Sequence, residues 1–388
     1  MARRIQEREI EVYPEADSLA GFPHPRHTRA VFGHMDEETA LRDAFSAGRM
    51  HHAWILAGAS GIGKATLAYR LARYILADPS EISSDGRPLD TEVECATSRQ
   101  VGALSHPRLM LIRRPYDIKA KRFTASIPVD AVRSVKGFLS SRGEATHWRV
   151  VIVDTADEMN VNAANALLKS LEEPPPRTVF LLLSSEPGRL LNTIRSRCRR
   201  LQFSSLSNAD LKAAVDQALA ASEDATLDDA NYAELAPLAA GSVRRLLSLH
   251  ALKGAELAQA VQTILGQLPD VDWSKVHRIS DELAPVAAAE RFEVFFDLLF
   301  RSLHGCVRTA SGAPLETGEP PNKALNRLSV TMAGTTAGSG ADTGNLANWA
   351  EAWDSIQNAK SETQALNLDR KSLILETVGR LAQTAGAR

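Results

Sequence analysis

Short apolar runs alternate with amphipathic stretches through the first half of the chain, and amphipathic stretches alone fill the second. Ala53-Trp54-Ile55-Leu56-Ala57, Leu109 to Ile112, Val150 to Val153 and Val179 to Leu183 are runs of strand length. Their unbroken hydrophobicity predicts strands of a parallel sheet covered on both faces. Residues 36–47 read as a helix, with Leu41, Ala44 and Phe45 on one face and Gly48 placed to end it. A second helix follows Lys64, with Leu67, Leu71 and Ile75 on one stripe. Ile127-Pro128-Val129-Asp130 introduces a third through Val132, Val135 and Leu139, and a fourth runs through Ala163, Leu167, Leu168 and Leu171 until Pro174-Pro175-Pro176 stops it. Strands alternating with helices predict a doubly wound α/β domain with its site at the strand C-terminal ends. Residues 78–107, rich in Asp, Ser, Pro and Glu, read as a connecting loop or small insertion.

From about residue 206 the pattern is helical only. Ser207-Asn208-Ala209-Asp210 fits a capping box before Leu211, Val215 and Leu219, and Gly241-Ser242 opens a helix carrying Leu246 and Leu247. Three wide apolar faces follow: Phe292, Phe295, Phe296, Leu299, Phe300 and Leu303; then Leu346, Trp349, Trp353 and Ile356; then Leu373, Ile374, Val378 and Leu381. They read as core between helices. Thr331 to Asn345, rich in Gly, Ala and Thr, reads as a mobile loop. The expected domains are an α/β domain over 1–205, a small helical domain over 206–255 and a helical domain over 256–388.

Composition narrows the class. Of 388 residues, 44% are hydrophobic and 24% charged, as in a water-soluble globular protein. No apolar stretch is long enough for a bilayer, and the Arg3-Arg4 start is not a secretory signal, so the expected location is cytoplasmic. Cys95, Cys198 and Cys306 are too few and too scattered for a disulfide framework or a Cys-x-x-Cys zinc site. With a net charge of -2, DNA contact would have to come from a local basic face. The two candidates are Arg195, Arg197, Arg199 and Arg200, and the stretch Arg113, Arg114, Lys119, Lys121 and Arg122, the second of which reads more simply as a solvated surface.

Gly58-Ala59-Ser60-Gly61-Ile62-Gly63-Lys64 has the spacing G-x-x-x-x-G-K between a strand and a helix. Glycines permit close backbone approach, and the helix N-terminus offers unpaired N–H groups and a positive dipole to phosphate. Lys64 is followed by Ala65, where a working nucleotidase carries the Ser or Thr that holds Mg²⁺. Thr66 lies one residue further on, about 100° round the helix, so it would need a shifted loop to replace that ligand. Asp154 closes the Val150–Val153 run as a candidate carboxylate for Mg²⁺, and Thr155 follows it.

These motifs together resemble bacterial clamp loaders of the AAA+ family. His51-His52-Ala53-Trp54 with the glycine loop is similar to the family's first motif. Asn165-Ala166-Leu167-Leu168-Lys169-Ser170-Leu171-Glu172-Glu173-Pro174-Pro175 resembles a second signature, Ser196-Arg197-Cys198 a third and Gly241-Ser242-Val243-Arg244 a fourth. The resemblance covers roughly residues 30–250, in the right order and spacing. It implies a glutamate base after the strand aspartate, where this chain has Thr155; Asp157 and Glu158 are expected in the following turn or helix. With metal ligand and base both missing, the chain looks like the delta-prime type of subunit, which does not hydrolyse ATP, more than the tau/gamma motor.

The resemblance implies an α/β P-loop domain, a helical lid and a helical collar. It casts Arg197 as an arginine finger reaching the γ-phosphate held by a neighbouring subunit, and Arg244 as a sensor of the chain's own nucleotide. Gly58, Gly61, Gly63, Lys64, Thr66 and Asp154 would line a vestigial pocket, a candidate for ATP, ADP or phosphate, with no cofactor required. Ser184 and Ser185 fall at a sensor position that two serines ending a strand also explain. The plainer reading of Arg197 is an intramolecular salt bridge, and that of Cys198 a small buried residue. Relatives carry a four-cysteine zinc module after the P-loop helix; only Cys95 falls there, so no zinc is expected. The implied partners are tau/gamma and delta subunits, the beta sliding clamp through the complex, and primer–template DNA in a DNA polymerase holoenzyme. A catalytically active clamp-loader motor, a helicase-associated loader and a plain scaffold remain the alternatives.

Overall fold

The computed structural model describes residues 14–83, 87–92, 94–120, 122–140, 147–222, 226–312, 323–333, 343–366 and 368–386. The chain divides into two compact units, one of residues 1–226 with 242–244 and one of residues 227–241 with 245–388.

The first unit is built from α1 (Met35–Ser46), β1 (Ala53–Ala57), α2 (Lys64–Leu76), α3 (Ala96–Gly102), β2 (Leu109–Ile112), β3 (Tyr116–Asp117), β4 (Arg122–Phe123), α4 (Val129–Ser140), β5 (Arg149–Val153), α5 (Val161–Glu172), β6 (Thr178–Ser184), α6 (Asn192–Arg195), β7 (Arg199–Gln202) and α7 (Asn208–Ala220). A five-stranded parallel sheet runs in the order β2-β5-β6-β1-β7, and β3 and β4 form a separate antiparallel hairpin. Alternation within the apolar runs divides each strand between two cores. Trp54, Leu56, Val150, Ile152, Val179, Leu181 and Leu183 pack with Leu41 of α1, Leu67 and Leu71 of α2 and Val101 of α3. Ile55, Val151, Val153, Phe180 and Leu182 pack with Val132 and Val135 of α4, Leu167 and Leu171 of α5 and Ile194 of α6. The inner strands β1, β5 and β6 are therefore dry on both faces, as their continuous hydrophobicity requires.

The second unit is helical: α8 (Asp229–Ala239), α9 (Val243–Ala251, its first two residues belonging to the first unit), α10 (Gly254–Gln267), α11 (Trp273–Leu283), α12 (Ala289–Ala310), α13 (Lys323–Ala333), α14 (Thr343–Leu366) and α15 (Arg370–Gly386). The three expected apolar faces lie on α12, α14 and α15, with Phe292, Phe295, Phe296, Trp349, Ile356, Ile374 and Val378 buried. Trp353 is half-buried and packs on Phe300 with ring centroids 4.9 Å apart.

Two sequence expectations change. Residues 78–107 are not wholly irregular, because α3 lies inside them with Cys95 as its N-cap. The loop expected over Thr331 to Asn345 is helical at both ends, Thr331 to Ala333 closing α13 and Thr343 to Asn345 opening α14; the rest of it, 334–342, lies outside the described residues. Arg199 and Arg200 belong to edge strand β7, paired in parallel with β1. The other expected strands and helices of the first unit are present to within a residue or two of their ends.

Candidate functional site

The glycine loop joins the C-terminal end of β1 to α2, as the motif requires. Gly58 N–H donates to the Ser184 carbonyl at the end of β6, tying the loop to the neighbouring strand. Two glycines are demanded by space. A Cβ on Gly58 would sit 2.7 Å from the Phe203 carbonyl, and one on Gly61, whose φ is +75°, would sit 2.5 Å from both Arg244 Cβ and Ser242 Oγ. The tripeptide Ser242–Arg244 thus lies directly on the loop: Val243 N–H donates to the Gly61 carbonyl at 3.0 Å and Ser242 Oγ to the Ser60 carbonyl at 2.8 Å. On the other side, His34 Nε2 lies 2.8 Å from the Ile62 carbonyl, its ring edge-on to Phe203.

Lys64 turns back onto its own loop. Its Nζ donates to the Gly58 and Ala59 carbonyls at 2.7 and 2.6 Å. Burial pulls its pKa down to about 8 against the opposing pull of Asp154 and Asp157. Asp154 follows β5 and its N–H donates to the Ile112 carbonyl of β2. Burial, reinforced by the Asp17 charge, lifts its pKa to about 7, although Arg244 and Lys64 oppose the shift. Thr155, where the resemblance implies a base, is left-handed at φ +48°, a costly conformation for a β-branched residue. Its buried Oγ1 and that of Ser184 find no partner among the described protein atoms. Asp157 and Glu158 lie in a short 3-10 turn as expected, but both are engaged: Asp157 Oδ1 accepts from Ser185 N–H, and Glu158 pairs with Arg114 at 2.6 Å. Thr66 is half-buried in the first turn of α2.

The segment before α1 supplies a charged cluster beside these groups. Arg244 Nη2 donates to the Ser18 carbonyl at 2.9 Å. Arg113 Nη1 donates to Asp17 at 2.5 Å, and His24 Nε2 lies 3.0 Å from Asp17 and 3.1 Å from Glu15. Glu15, Asp17 and His24 bring ligand atoms within 4.8 Å of one another, but Arg26 and Arg113 already pair with the carboxylates, so two guanidinium charges stand where a cation would have to enter. Burial alone would raise both carboxyls, yet Arg113 and Arg26 around Glu15, and His24 and Arg113 around Asp17, hold each down to about 2.

Arg197 lies apart from this pocket, between α6 and β7. Its Nη2 pairs with Glu172 Oε1 at 2.8 Å and its Nη1 donates to the Thr193 carbonyl at 2.9 Å, so the salt bridge of the plainer reading is present. The side chain nevertheless remains 36% exposed. Arg195, Arg199 and Arg200 are exposed, Arg199 with its guanidinium 5.3 Å from the centre of the Trp54 ring. The second basic stretch is partly used up by Arg113 and Arg114, which turn to acidic partners; Lys121 lies outside the described residues. Burial pushes the Cys198 thiol up to about 12, which fits the packing role and not a reactive one.

A family profile described as DNA polymerase III, delta subunit, matches residues 33–207. DNA polymerase III subunit delta-prime of Escherichia coli is 31% identical over 271 residues, 69% of this chain and 75% of that protein. The chain belongs to the DNA polymerase III delta-prime family. The Pseudomonas aeruginosa delta-prime subunit is 40% identical over 38% of this chain and 41% of its own length, so the match spans under half of that relative. A subunit gamma of Buchnera aphidicola is 28% identical over 63% of this chain and 65% of its own length. Among solved structures, a gamma subunit-related protein of Thermotoga maritima covers 90% of this chain and 100% of its own at 18% identity, with a TM-score of 0.42. The family profile lies within the first unit, where the loop and Arg197 are both found.

Within this delta-prime-family chain, the sequence did not point to Asp17, Ser18, His34 or Glu172. Glu172 sits inside a quoted signature, but its pairing with Arg197, 25 residues on, is settled by the packing of α5 against α6. Asp17 and Ser18 lie in a segment with no periodicity to mark it.

Proposed function

We propose that this chain is a stationary member of a clamp-loader ring, working in the cytoplasm on sliding-clamp loading at primed DNA while leaving ATP hydrolysis to its neighbours. The observation that carries this reading is Ala65 in the first turn of α2, where a metal ligand would stand, together with Thr155 after Asp154, where a base would stand. Losing a general base alone costs roughly 10²- to 10⁴-fold. The residues present do not fit Mg²⁺-dependent hydrolysis. They leave the loop a candidate for ATP, ADP or phosphate, favoured by the unpaired Ser184 and Thr155 hydroxyls, with release of Lys64 as the condition for binding.

Arg197 is the residue through which the chain would act, as a finger toward the γ-phosphate bound by a neighbouring tau/gamma subunit. A finger of this kind is worth roughly 10³- to 10⁵-fold in rate, and its planar fork is not replaced by lysine. Delta-type and tau/gamma-type subunits, the sliding clamp reached through them, and DNA are the partners of this proposal. The α/β, lid and collar division over 1–205, 206–255 and 256–388 belongs to it as well. The test is ATP turnover by the reconstituted assembly with wild-type chain and with Arg197→Ala. Collapse of turnover supports the finger, and full turnover points to a plain scaffold.

A further inference from the structure

We propose that Glu172 is a latch: it holds Arg197 neutralised in the free chain and yields it when a phosphate-bearing neighbour docks. The proposal rests on the finger reading above and deepens it.

Arg197 is held from two directions. Its Nη2 meets Glu172 Oε1 at 2.8 Å, while Nη1 donates to the Thr193 carbonyl and lies 3.4 Å from Ser196 Oγ. A carboxylate in contact with a guanidinium cancels most of the positive charge that an incoming phosphoryl group would meet. A finger that kept this partner would therefore stabilise little.

Glu172 is also poorly placed without its partner. It is the last residue of α5, where unpaired carbonyls make the helix end negative, and Glu173 follows it. Arg197 adds a guanidinium to this end of α5, whose last turn also holds Lys169. Yet the pair is open to solvent, with Glu172 46% and Arg197 36% exposed. An exposed pair of this kind biases a side chain by about fivefold at most. Such weakness suits a reversible latch: a polyphosphate offers more charge and two oxygens for bidentate pairing with the fork, and so displaces a single screened carboxylate. The Thr193 and Ser196 contacts come from the segment carrying Arg197 itself, so they can persist while Nη2 changes partner.

The test is Glu172→Gln, which keeps the shape and removes the charge. Reconstituted with tau/gamma and delta subunits, clamp, primed DNA and ATP, this variant should reach half-maximal turnover at a chain concentration about two- to fivefold lower, with unchanged maximal rate. In the isolated full-length chain, phenylglyoxal should modify Arg197 faster by a similar factor, read by mass spectrometry. An unmoved half-maximal concentration, with Arg197→Ala still abolishing turnover, overturns the latch and leaves the finger standing. A reduced maximal rate in Glu172→Gln also overturns it, because Glu172 would then be orienting the docked guanidinium. Full turnover with Arg197→Ala overturns the finger and the latch together.

Discussion

Replacing Asp154 by Asn should stabilise the folded chain, and the gain should grow with pH. The carboxyl is buried after β5, and its pKa rises from 3.8 to about 7. The sign follows from linkage: below pH 3.8 it is protonated whether folded or not, so ionisation costs the fold nothing. Between pH 3.8 and 7 the unfolded chain releases the proton and the folded chain does not, so stability is lost as pH rises; above 7 the loss is constant. At 1.36 kcal/mol per pKa unit the ceiling is about 1.7 kcal/mol at pH 5 and about 4.3 kcal/mol at pH 8. Asparagine escapes this cost, although it also surrenders the attraction of Arg244 and Lys64 for the charged form. At pH 5 Asp154 is protonated and Lys64 is alike in both proteins; at pH 8 the ionised carboxylate helps hold the Lys64 pKa up, so the Asn variant loses that support and its gain falls below the ceiling. Urea unfolding of both proteins at pH 5 and pH 8 should show the Asn variant ahead, with the gap widening by about 2 kcal/mol. A gap independent of pH, or a less stable variant at pH 8, would refute the reasoning, since Asp154 would then be ionised at little cost.

Gly61→Ala places a Cβ against Arg244 and Ser242 at a positive φ; it should cost about 1–3 kcal/mol, read as a lower urea midpoint. Glu38→Ala removes the carboxylate that Arg70 meets at 2.6 Å with both side chains buried, leaving it Asp90 at 3.7 Å and the Arg29 and Pro88 carbonyls; it should cost about 1.5–3 kcal/mol by the same measurement. Asp17→Asn should weaken the fold at pH 7. Asp17 is held down to about 2 against the raising effect of burial, so its contribution is present above 3.8 and fades as pH falls toward 2. Unfolding at pH 7 and at pH 2.5 should show the deficit shrinking with acid.

The sheet was legible because four of its strands are unbroken apolar runs, and burial on both faces demands such runs. β7 was not. Arg199, Arg200 and Gln202 are exposed and Leu201 only half-buried, as suits an edge strand kept from pairing with other chains by charge. In α3, Thr97, Ser98 and Val101 face inward, so its buried side is mostly polar and its sequence resembles a loop. The glycine loop was legible because close backbone approach leaves a residue-type imprint at fixed spacing. The posture of its lysine was not, because that depends on carbonyls turned inward and on the Ser242–Arg244 tripeptide, nearly 180 residues away. Arg197 could be singled out from its motif. Its hold by Glu172 is a contact between the end of α5 and the turn after α6, which no periodicity encodes.

ATP turnover by the chain alone and within its reconstituted assembly, with and without Arg197→Ala, tests the central claim most directly. The account predicts no magnesium-dependent turnover from the isolated chain. It also predicts a loss of roughly a thousandfold or more when Arg197 is removed from the assembly. Vigorous hydrolysis by the purified chain alone, abolished by Lys64→Ala, would contradict it.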